Sequence, residues 1–545
     1  MWPRLTSDAE WAASRVAPLP PRWQERLLDP WSSRHATGDI YGANSELRIL
    51  TDSLLAVRIP LDASDSTICE AAQTLAERCA GRAEVFHEVN ALRASMVRIV
   101  LGQGIEPPHE RTKNGPAIAR MCCPMWWRRK LRRHHGRAFE AAAIALGLVH
   151  RQAGIYCSDE TLKRRLAQNE RNAASLENTI ARNELGQEYT LAELAAKGPG
   201  NKKIRRAELM TRIAGFERIA RHCGHAGLFL TITCPSRFHK GRIVNDWKVI
   251  DNPSYDPNET PATAQKYLAR VWSRIRPKLA RLGIKLYGFR IAEPQHDGTP
   301  HWHLLVFMEA AHEPMVRQVI SHYALQDTPD EKGANEHRCD FKAIDWERGS
   351  AAGYIAKYVS KNIDGYQVGK DFYGNDAMVV SARVEAWAST WGIRQFQQVG
   401  SPPVGVWREL RRIETLPNGA PPHLVQAHRA VNKLAAVEGK ENASVAWDHY
   451  CDAQGGVFCG RAARIKLSQV RGDKPGRYGD EPALRAIGVE TLAPVPSTPG
   501  QFVLWEIEST RHDWEIVRAP KGRLIERGLA DDNYLDRSTT TILTG

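Results

Sequence analysis

The chain has 545 residues, of which 42% are hydrophobic and 25% charged, values that set aside collagen-like, low-complexity and membrane-embedded classes and point to two to four globular domains. A formal net charge of +13 favours a polyanionic partner, nucleic acid before others. Ten cysteines at irregular spacings fit a reducing compartment, and with no apolar window long enough to span a bilayer and no signal-peptide core at the N-terminus, an intracellular location is expected.

Residues 1–60 mix short helical pieces with breaks at Pro18, Pro20, Pro21, Gly38 and Gly42. From Asp65 to Met96 the pattern is mostly helical, with Leu75 and Cys79, then Val85, Val89 and Leu92, at core-like spacing. The stretch Met121 to Arg137 then places six Lys/Arg between Arg128 and Arg137 beside Trp126 and Trp127. Interleaved aromatics and cations suit a single-stranded nucleic acid, through stacking and phosphate contacts; a solvated basic helix capping a domain is the plain alternative. The adjacent Cys122 and Cys123 do not match the ligand spacing of structural zinc sites, so with His134 and His135 they read as buried thiols and surface histidines.

Residues 137–222 are strongly helical, with Ser158-Asp-Glu-Thr-Leu162 as a helix start, a second helical run over Leu191–His222, and a basic character from Arg205, Arg206, Arg212, Arg218 and Arg221. At Gly227 the texture changes. Leu228 to Ser236 alternates and stops at proline, as a strand does. Ala262–Ala280 is helical, Lys285–Ala292 a strand, Asp297-Gly298 a turn, Leu304–Phe307 part of a further strand, Pro314–Tyr323 a helix and Arg338–Ile344 a strand. Another helix follows Gly353. This order describes a compact α+β domain on an antiparallel sheet. Beyond it lie Ala382–Phe396, Val406–Arg412 and a helix over Gln426–Glu438. The composition loosens from Arg464, Pro494–Pro499 reads as linker, and Gln501–Ile516 alternates enough for a strand or two.

The chemistry concentrates in Glu293-Pro-Gln-His-Asp-Gly-Thr-Pro-His301-Trp-His303 and in Tyr354-Ile-Ala-Lys-Tyr358. On a strand, His301 and His303 share one face about 7 Å apart, while Trp302 and Leu304 take the other. Two such imidazoles converge on one divalent ion. A hard ion such as Mg²⁺ or Mn²⁺ also needs oxygen, for which Glu293, on the pairing strand, is the natural third ligand; His296 and Gln295 are the alternatives. On a helix Tyr354 and Tyr358 stand one turn apart on the same side. A tyrosine attacking a DNA phosphate leaves a 3′-hydroxyl and keeps the 5′-phosphate as a phosphotyrosine ester, and a second tyrosine on the same face permits strand transfer. Lys357 and Lys361 are placed to support the phosphate or lower a phenol pKa. Taken singly, His-x-His is usually an ordinary strand feature and Tyr-x₃-Tyr aromatic packing; together they favour the functional reading.

The Thr231-Ile-Thr-Cys-Pro-Ser236 strand, the His301-Trp-His303 motif and the Tyr354–Tyr358 helix, in this order, resemble the three motifs of the HUH endonucleases that initiate rolling-circle replication. More closely, Glu293–Phe307 and Arg383–Arg412 resemble the replication gene A proteins of tailed temperate phages and their prophages. The resemblance covers about residues 115–435. It implies a ferredoxin-like or RRM-like palm, histidine metal ligands, two tyrosines acting in alternation, an origin-specific nick, joining of the displaced strand into a circle, and action in a bacterial host cytoplasm. The resulting division is an N-terminal helical or mixed region (1–115), a basic helical arm (116–225), the nuclease domain (226–365), a DNA-contacting extension (366–435), and a linker with a small C-terminal region (436–545). Trp126, Trp127, Arg128, Arg129, Arg132, Arg133, Arg290, Arg383, Arg394 and Arg408 are candidate DNA contacts. No Gly-x₄-Gly-Lys-Ser/Thr loop occurs, so no ATP site is expected, and the resemblance points to a separate, host-supplied helicase. A transposase or relaxase of the HUH type is the nearest alternative, and a non-catalytic DNA-binding module the more distant one.

Overall fold

The structure, a computed structural model, describes residues 7–55, 59–244, 248–347, 349–363, 377–495 and 498–518, with side chains for all of these except Ser53, Leu55, Ala351, Ala352, Tyr354, Lys357, Ser360, Lys361, Ala377 and Arg518. It divides into two compact units. No helix among the described residues is long and apolar enough to cross a membrane.

The first unit comprises the described residues of Met1–Gly154, Trp247–Asp251 and Gly472–Ala483. It is built on helices, including α1 (Asp65–Ala80), α2 (Val89–Leu101) and α3 (Pro124–Ala145). Ser64 caps α1 by accepting from the Thr67 amide, and Glu88 caps α2 by accepting from two amides of its first turn. Ile68, Ala72, Leu75 and Cys79 of α1 recur three and four apart and bury their stripe against Met96, Val100, Trp127 and Leu131.

The second unit comprises the described residues of Ile155–Asp246, Asn252–Arg471 and Leu484–Gly545. Its centre is a five-stranded antiparallel sheet of β1 (His225–Ile232), β2 (Tyr287–Pro294), β3 (Pro300–Glu309), β4 (Cys339–Ala343) and β5 (Phe396–Val399), in the order β4-β1-β3-β2-β5. Between β1 and β2 runs α6 (Pro261–Arg281), and between β3 and β4 α7 (Glu313–Leu325). The strand–helix–strand–strand–helix–strand succession with order 4-1-3-2 is the ferredoxin-like topology, extended at one edge by β5. The α+β class and the antiparallel palm are therefore as expected.

The two faces of the sheet carry different loads. Alternation puts Leu228, Leu230, Trp302, Leu304 and Val306 on one face, towards α6, where Trp302 Nε1 donates to Gln265 at 2.9 Å. The other face, with Phe229, Tyr287, Phe289, Ile291, Leu305 and Phe307, is covered by α5 (Lys202–His222) and α8 (Ala351–Ile363) through Leu209, Ile213, Phe216, Ile355 and Val359. Each fully buried aliphatic or aromatic side chain here contributes about 1.5–3 kcal/mol. Ser350 caps α8 by accepting from the Gly353 amide and itself donates to Glu217 of α5, which fixes where the tyrosine helix begins.

Several boundaries differ from the sequence reading. The helical run over 191–222 is two helices, Leu191–Ala196 and α5, separated by Gly198-Pro199-Gly200. Helix α4 (Asp159–Asn178) stops short, and Ile180–Asn183 instead pairs with Glu188–Thr190 and Trp514–Arg518. The loosened stretch after Arg464 contains a three-stranded antiparallel sheet of Ile465–Arg471, Leu484–Pro494 and Phe502–Glu508. The Gly/Pro-rich segment between its first two strands hides the alternation on either side. The boundary between the units falls at Gly154/Ile155, within the span 116–225 read as one basic arm.

Candidate metal and nucleophile site

The site lies on the α5/α8 face of the sheet, at the ends of β2 and β3. Register places Glu293 opposite His301, and His303 opposite Ile291 on one side and Thr231 on the other. Both histidines and the glutamate thus share one face, and their ligand atoms all lie within 4.8 Å of one another. His301 Nε2 and His303 Nε2 are 2.7 Å apart, and Glu293 Oε2 is 3.9 Å from His303 Nε2. His303 Nδ1 is 3.0 Å from Thr231 Oγ1; that contact occupies one ring nitrogen and turns the other towards the group, the usual arrangement behind a metal-binding histidine. Glu293 is only 2% exposed and His303 8%, so burying the carboxylate without a cation or donors would be costly.

Helix α8 supplies the rest. The Tyr358 ring lies 4.6 Å from the His303 ring and 5.4 Å from Phe229, and Phe229 stacks on His303. One turn on, Asn362 Nδ2 donates to Glu293 Oε1 and, at 2.6 Å, to the Tyr358 carbonyl. A single buried amide thus ties α8 to the carboxylate. Gln395 Nε2 donates to Asn362 Oδ1 at 3.4 Å. The donor set, two imidazoles and one carboxylate oriented by an outer layer, fits a divalent cation such as Mn²⁺ or Mg²⁺.

The turn joining β2 and β3 is buried. Asp297 Oδ2 pairs with His239 Nδ1 at 2.9 Å and Asp297 Oδ1 accepts from the Thr299 amide. Burial opposes ionisation of Asp297, but the imidazole of His239 outweighs it and holds the carboxyl down at about 2. Burial likewise opposes the charge on His239, and Asp297 outweighs it and raises that pKa.

The structure brings together Glu293, His301, His303 and Tyr358. Gln295 and His296 lie in the turn rather than in the ligand group. The side chains of Tyr354, Lys357 and Lys361 lie outside the described residues, although their backbone belongs to α8. Thr231, Asn362, His239 and Asp297 were not singled out from sequence. Thr231 sits inside a recognised strand motif, and Asn362 four residues past Tyr358, but neither residue type announces a role alone.

Most of the candidate DNA contacts are buried or paired within the protein. Trp126 and Trp127 are core residues of the first unit, with Trp127 Nε1 donating to the Met121 carbonyl, so neither offers a free ring face for stacking. The reason is that α3 is enclosed over a broad arc, burying Met125 through Arg128 consecutively. Arg132 is paired in bidentate fashion with Asp65, Arg383 with Asp159, and Arg408 in bidentate fashion with Glu208. Arg129 donates to Tyr478. Arg290 is buried, stacked 4.1 Å from Trp302, and donates to the Arg394 carbonyl. These guanidiniums have structural work, which the charge pattern alone did not reveal. Arg133 and Arg394 are exposed, the latter donating to the Phe396 carbonyl.

Fold and site together define a class: a ferredoxin-like palm whose central strands present two histidines and a glutamate to a tyrosine-bearing helix. The family model described as bacteriophage replication gene A protein (GPA) matches residues 64–366, and the chain belongs to that family. It is 34% identical over 459 residues to the "Replication protein" of Haemophilus phage HP1, covering 81% of this chain and 55% of that one. It is 38% identical over 377 residues to the "Replication gene A protein" of Escherichia phage 186, covering 67% and 52%. A "Probable replication endonuclease from prophage-like region" of Salmonella paratyphi A is 31% identical over 389 residues, covering 69% and 47%. The chain spans about half the length of these relatives. No solved structure matches it.

Proposed function

We propose that this protein is a metal-assisted, site-specific DNA endonuclease and strand transferase that starts and ends rolling-circle replication of a phage or prophage genome. The observation that carries the reading is the convergence of Glu293, His301 and His303 within 4.8 Å, with the Tyr358 ring 4.6 Å from His303. The names of the relatives, a replication protein, a replication gene A protein and a probable replication endonuclease, support the same direction.

Glu293, His301 and His303 would hold a divalent cation, which would supply positive charge to the scissile phosphate and offset the charge that develops in the transition state. Thr231 keeps His303 in the tautomer and orientation that present Nε2. Asn362 holds the Glu293 carboxylate and the α8 backbone in one geometry, so that the nucleophile and the phosphate position are set together. The Tyr358 oxygen, on losing its proton, forms a bond to phosphorus as the bond to the 3′ oxygen breaks. That oxygen takes up a proton to become a free 3′-hydroxyl, and the 5′ end remains on the enzyme as a phosphotyrosine ester. Tyr354, at helical spacing, serves as the second nucleophile for the joining step, with Lys357 and Lys361 on the phosphate. Single-stranded DNA at the origin is the substrate, and a separate helicase opens the duplex.

The test is covalent capture. Full-length protein is incubated with single-stranded DNA from its encoding element and Mn²⁺ or Mg²⁺, beside Tyr354→Phe, Tyr358→Phe, the double variant and His301→Ala. The expected result is a metal-dependent adduct that resists denaturation, survives either single phenylalanine change and is lost in the double variant and in His301→Ala. Absence of any adduct on origin-spanning fragments would leave a DNA-binding module as the better reading.

A further inference from the structure

The first unit contains a feature that the nicking chemistry does not use. Where the C-terminal ends of α1 and α2 meet, Arg78, Arg82 and Arg98 line a concavity of about 240 Å³ together with Phe86, Ser95 and Gln103. No carboxylate lines it. Among the described residues none of the three guanidiniums forms a salt bridge, in contrast with Arg120 and Arg132 of the same unit, which pair with Asp480 and Asp65. The Nε of Arg82 is buried with no hydrogen-bond partner. The neighbouring Cys79 is no counter-charge, because burial pushes its thiol up to about 12.

The plain explanation is that arginines at helix C-termini complement the helix dipole. That accounts for Arg78 in the last turn of α1 and Arg98 in the last turn of α2. It does not account for their convergence with Arg82 on one concavity, nor for a buried guanidinium nitrogen left without an acceptor, an arrangement that costs free energy unless something accepts from it. Guanidinium groups match phosphate oxygens in fork geometry and in charge. The concavity is smaller than the roughly 300–1,000 Å³ of most small-molecule sites, which suits one phosphate and part of its sugar, with Phe86 at the wall for a base or sugar to rest on.

We propose that Arg78, Arg82 and Arg98 form a phosphate-binding pocket that holds one backbone phosphate of a single-stranded DNA segment. The site is separate from the Glu293–His301–His303 group and independent of the nicking reaction. The same chemistry would recognise a free nucleotide, so the test includes both sources.

Binding is measured with the full-length chain in EDTA, where no metal-assisted cleavage contributes, by fluorescence anisotropy on a labelled 20-nucleotide oligo-dT across a salt series, and by competition with dTMP and inorganic phosphate. The Arg78→Gln/Arg82→Gln/Arg98→Gln variant is expected to bind the oligonucleotide about tenfold more weakly, with its log–log salt slope shallower by about 0.7, the value for one single-strand phosphate contact. If oligonucleotide binding is equal on native and variant chains while dTMP or phosphate, titrated alone by calorimetry, binds the native chain and not the variant, the pocket takes a free phosphate ligand and the DNA assignment is overturned. If oligonucleotide, dTMP and phosphate behave alike on native and variant chains, the proposal is overturned. Should the triple variant melt early by circular dichroism, Arg78→Gln/Arg98→Gln changes only the two exposed arginines and is read by the same criteria.

Discussion

Asn362 offers the sharpest test of how the site is assembled. It is 4% exposed and Glu293 2%, and its one amide nitrogen serves both the carboxylate and the Tyr358 carbonyl. In Asn362→Ala the carboxylate loses a charge-assisted hydrogen bond whose net contribution is about 1.5–3 kcal/mol. At about 1.4 kcal/mol per tenfold this corresponds to roughly a 10- to 100-fold loss of divalent-metal affinity, the range typical of groups that orient a metal ligand. Calorimetric titration of the full-length chain with Mn²⁺ measures that affinity without DNA, so it is independent of whether the protein nicks. Adduct yield, measured separately, should fall at limiting Mn²⁺ and recover in large part at saturating Mn²⁺. Asn362→Asp should be worse than alanine, because it places a second carboxylate beside a buried one. A Mn²⁺ affinity within twofold of the native value in Asn362→Ala would refute the assignment of Asn362 as the residue that positions Glu293.

Three further outcomes are expected. Thr231→Val keeps shape but removes the oxygen from His303 Nδ1, and should lower Mn²⁺ affinity about tenfold while leaving the melting temperature within a few degrees; an unchanged affinity would remove Thr231 from the site. Gly288 has φ of +147°, and a Cβ there would stand 2.0 Å from the Leu305 carbonyl oxygen across the ladder; Gly288→Ala should therefore destabilise the sheet by about 3 kcal/mol or more, seen as a large fall in melting temperature. For the His239–Asp297 pair, the Asp297 contribution is present above its unfolded pKa, near 3.9, and is lost as pH falls through about 2. The His239 contribution is present below about 6.5 and is lost as pH rises through its raised folded value. The melting-temperature gap between native protein and Asp297→Asn should thus be widest between about pH 4 and 6.5 and shrink towards alkaline pH; a gap that keeps growing up to pH 9 would contradict the pairing.

The site was legible in the sequence where geometry follows from period alone. A spacing of two on a strand put His301 and His303 together, pairing across a short turn brought Glu293 opposite His301, and the fold class followed from the order of strands and helices. Partner choice was not legible, because it joins residues far apart in the chain. The acids that engage Arg132, Arg408 and Arg383 lie 67, 200 and 224 residues away. An arginine on an amphipathic stretch looks the same whether it waits for DNA or closes a tertiary ion pair. Trp126 and Trp127 misled for a related reason. Adjacent residues on a helix point about 100° apart, which suggests that at least one is exposed, and only the enclosure of α3 over a wide arc buries both. The sheet after Arg464 was hidden by its Gly/Pro-rich interruption, although Ile465-Lys-Leu-Ser-Gln-Val-Arg471 alternates well.

The buried turn between β2 and β3 holds in place a site made of residues on two strands, as the proposed phosphate chemistry requires. Hairpin tips usually lie at the surface and move, and movement there would separate Glu293 from His301, which face each other close to the turn. Here the tip is gripped from several places in the chain. Trp387 Nε1 donates to the Gly298 carbonyl at 2.7 Å, the Tyr156 amide to the His296 carbonyl at 3.2 Å, and Thr299 Oγ1 to the Phe238 carbonyl at 2.9 Å, while Asp297 engages His239. Trp387 belongs to α9 (Ala377–Trp391) and is fully buried, so helix, strand exit and loop all converge on four turn residues. Thr231 and Asn362 orient side chains whose backbone is already fixed on both sides. Variation in the segments that grip the turn, including residues distant from Glu293, His301 and His303 in sequence, is therefore expected to act on the proposed metal group through the register of β2 and β3.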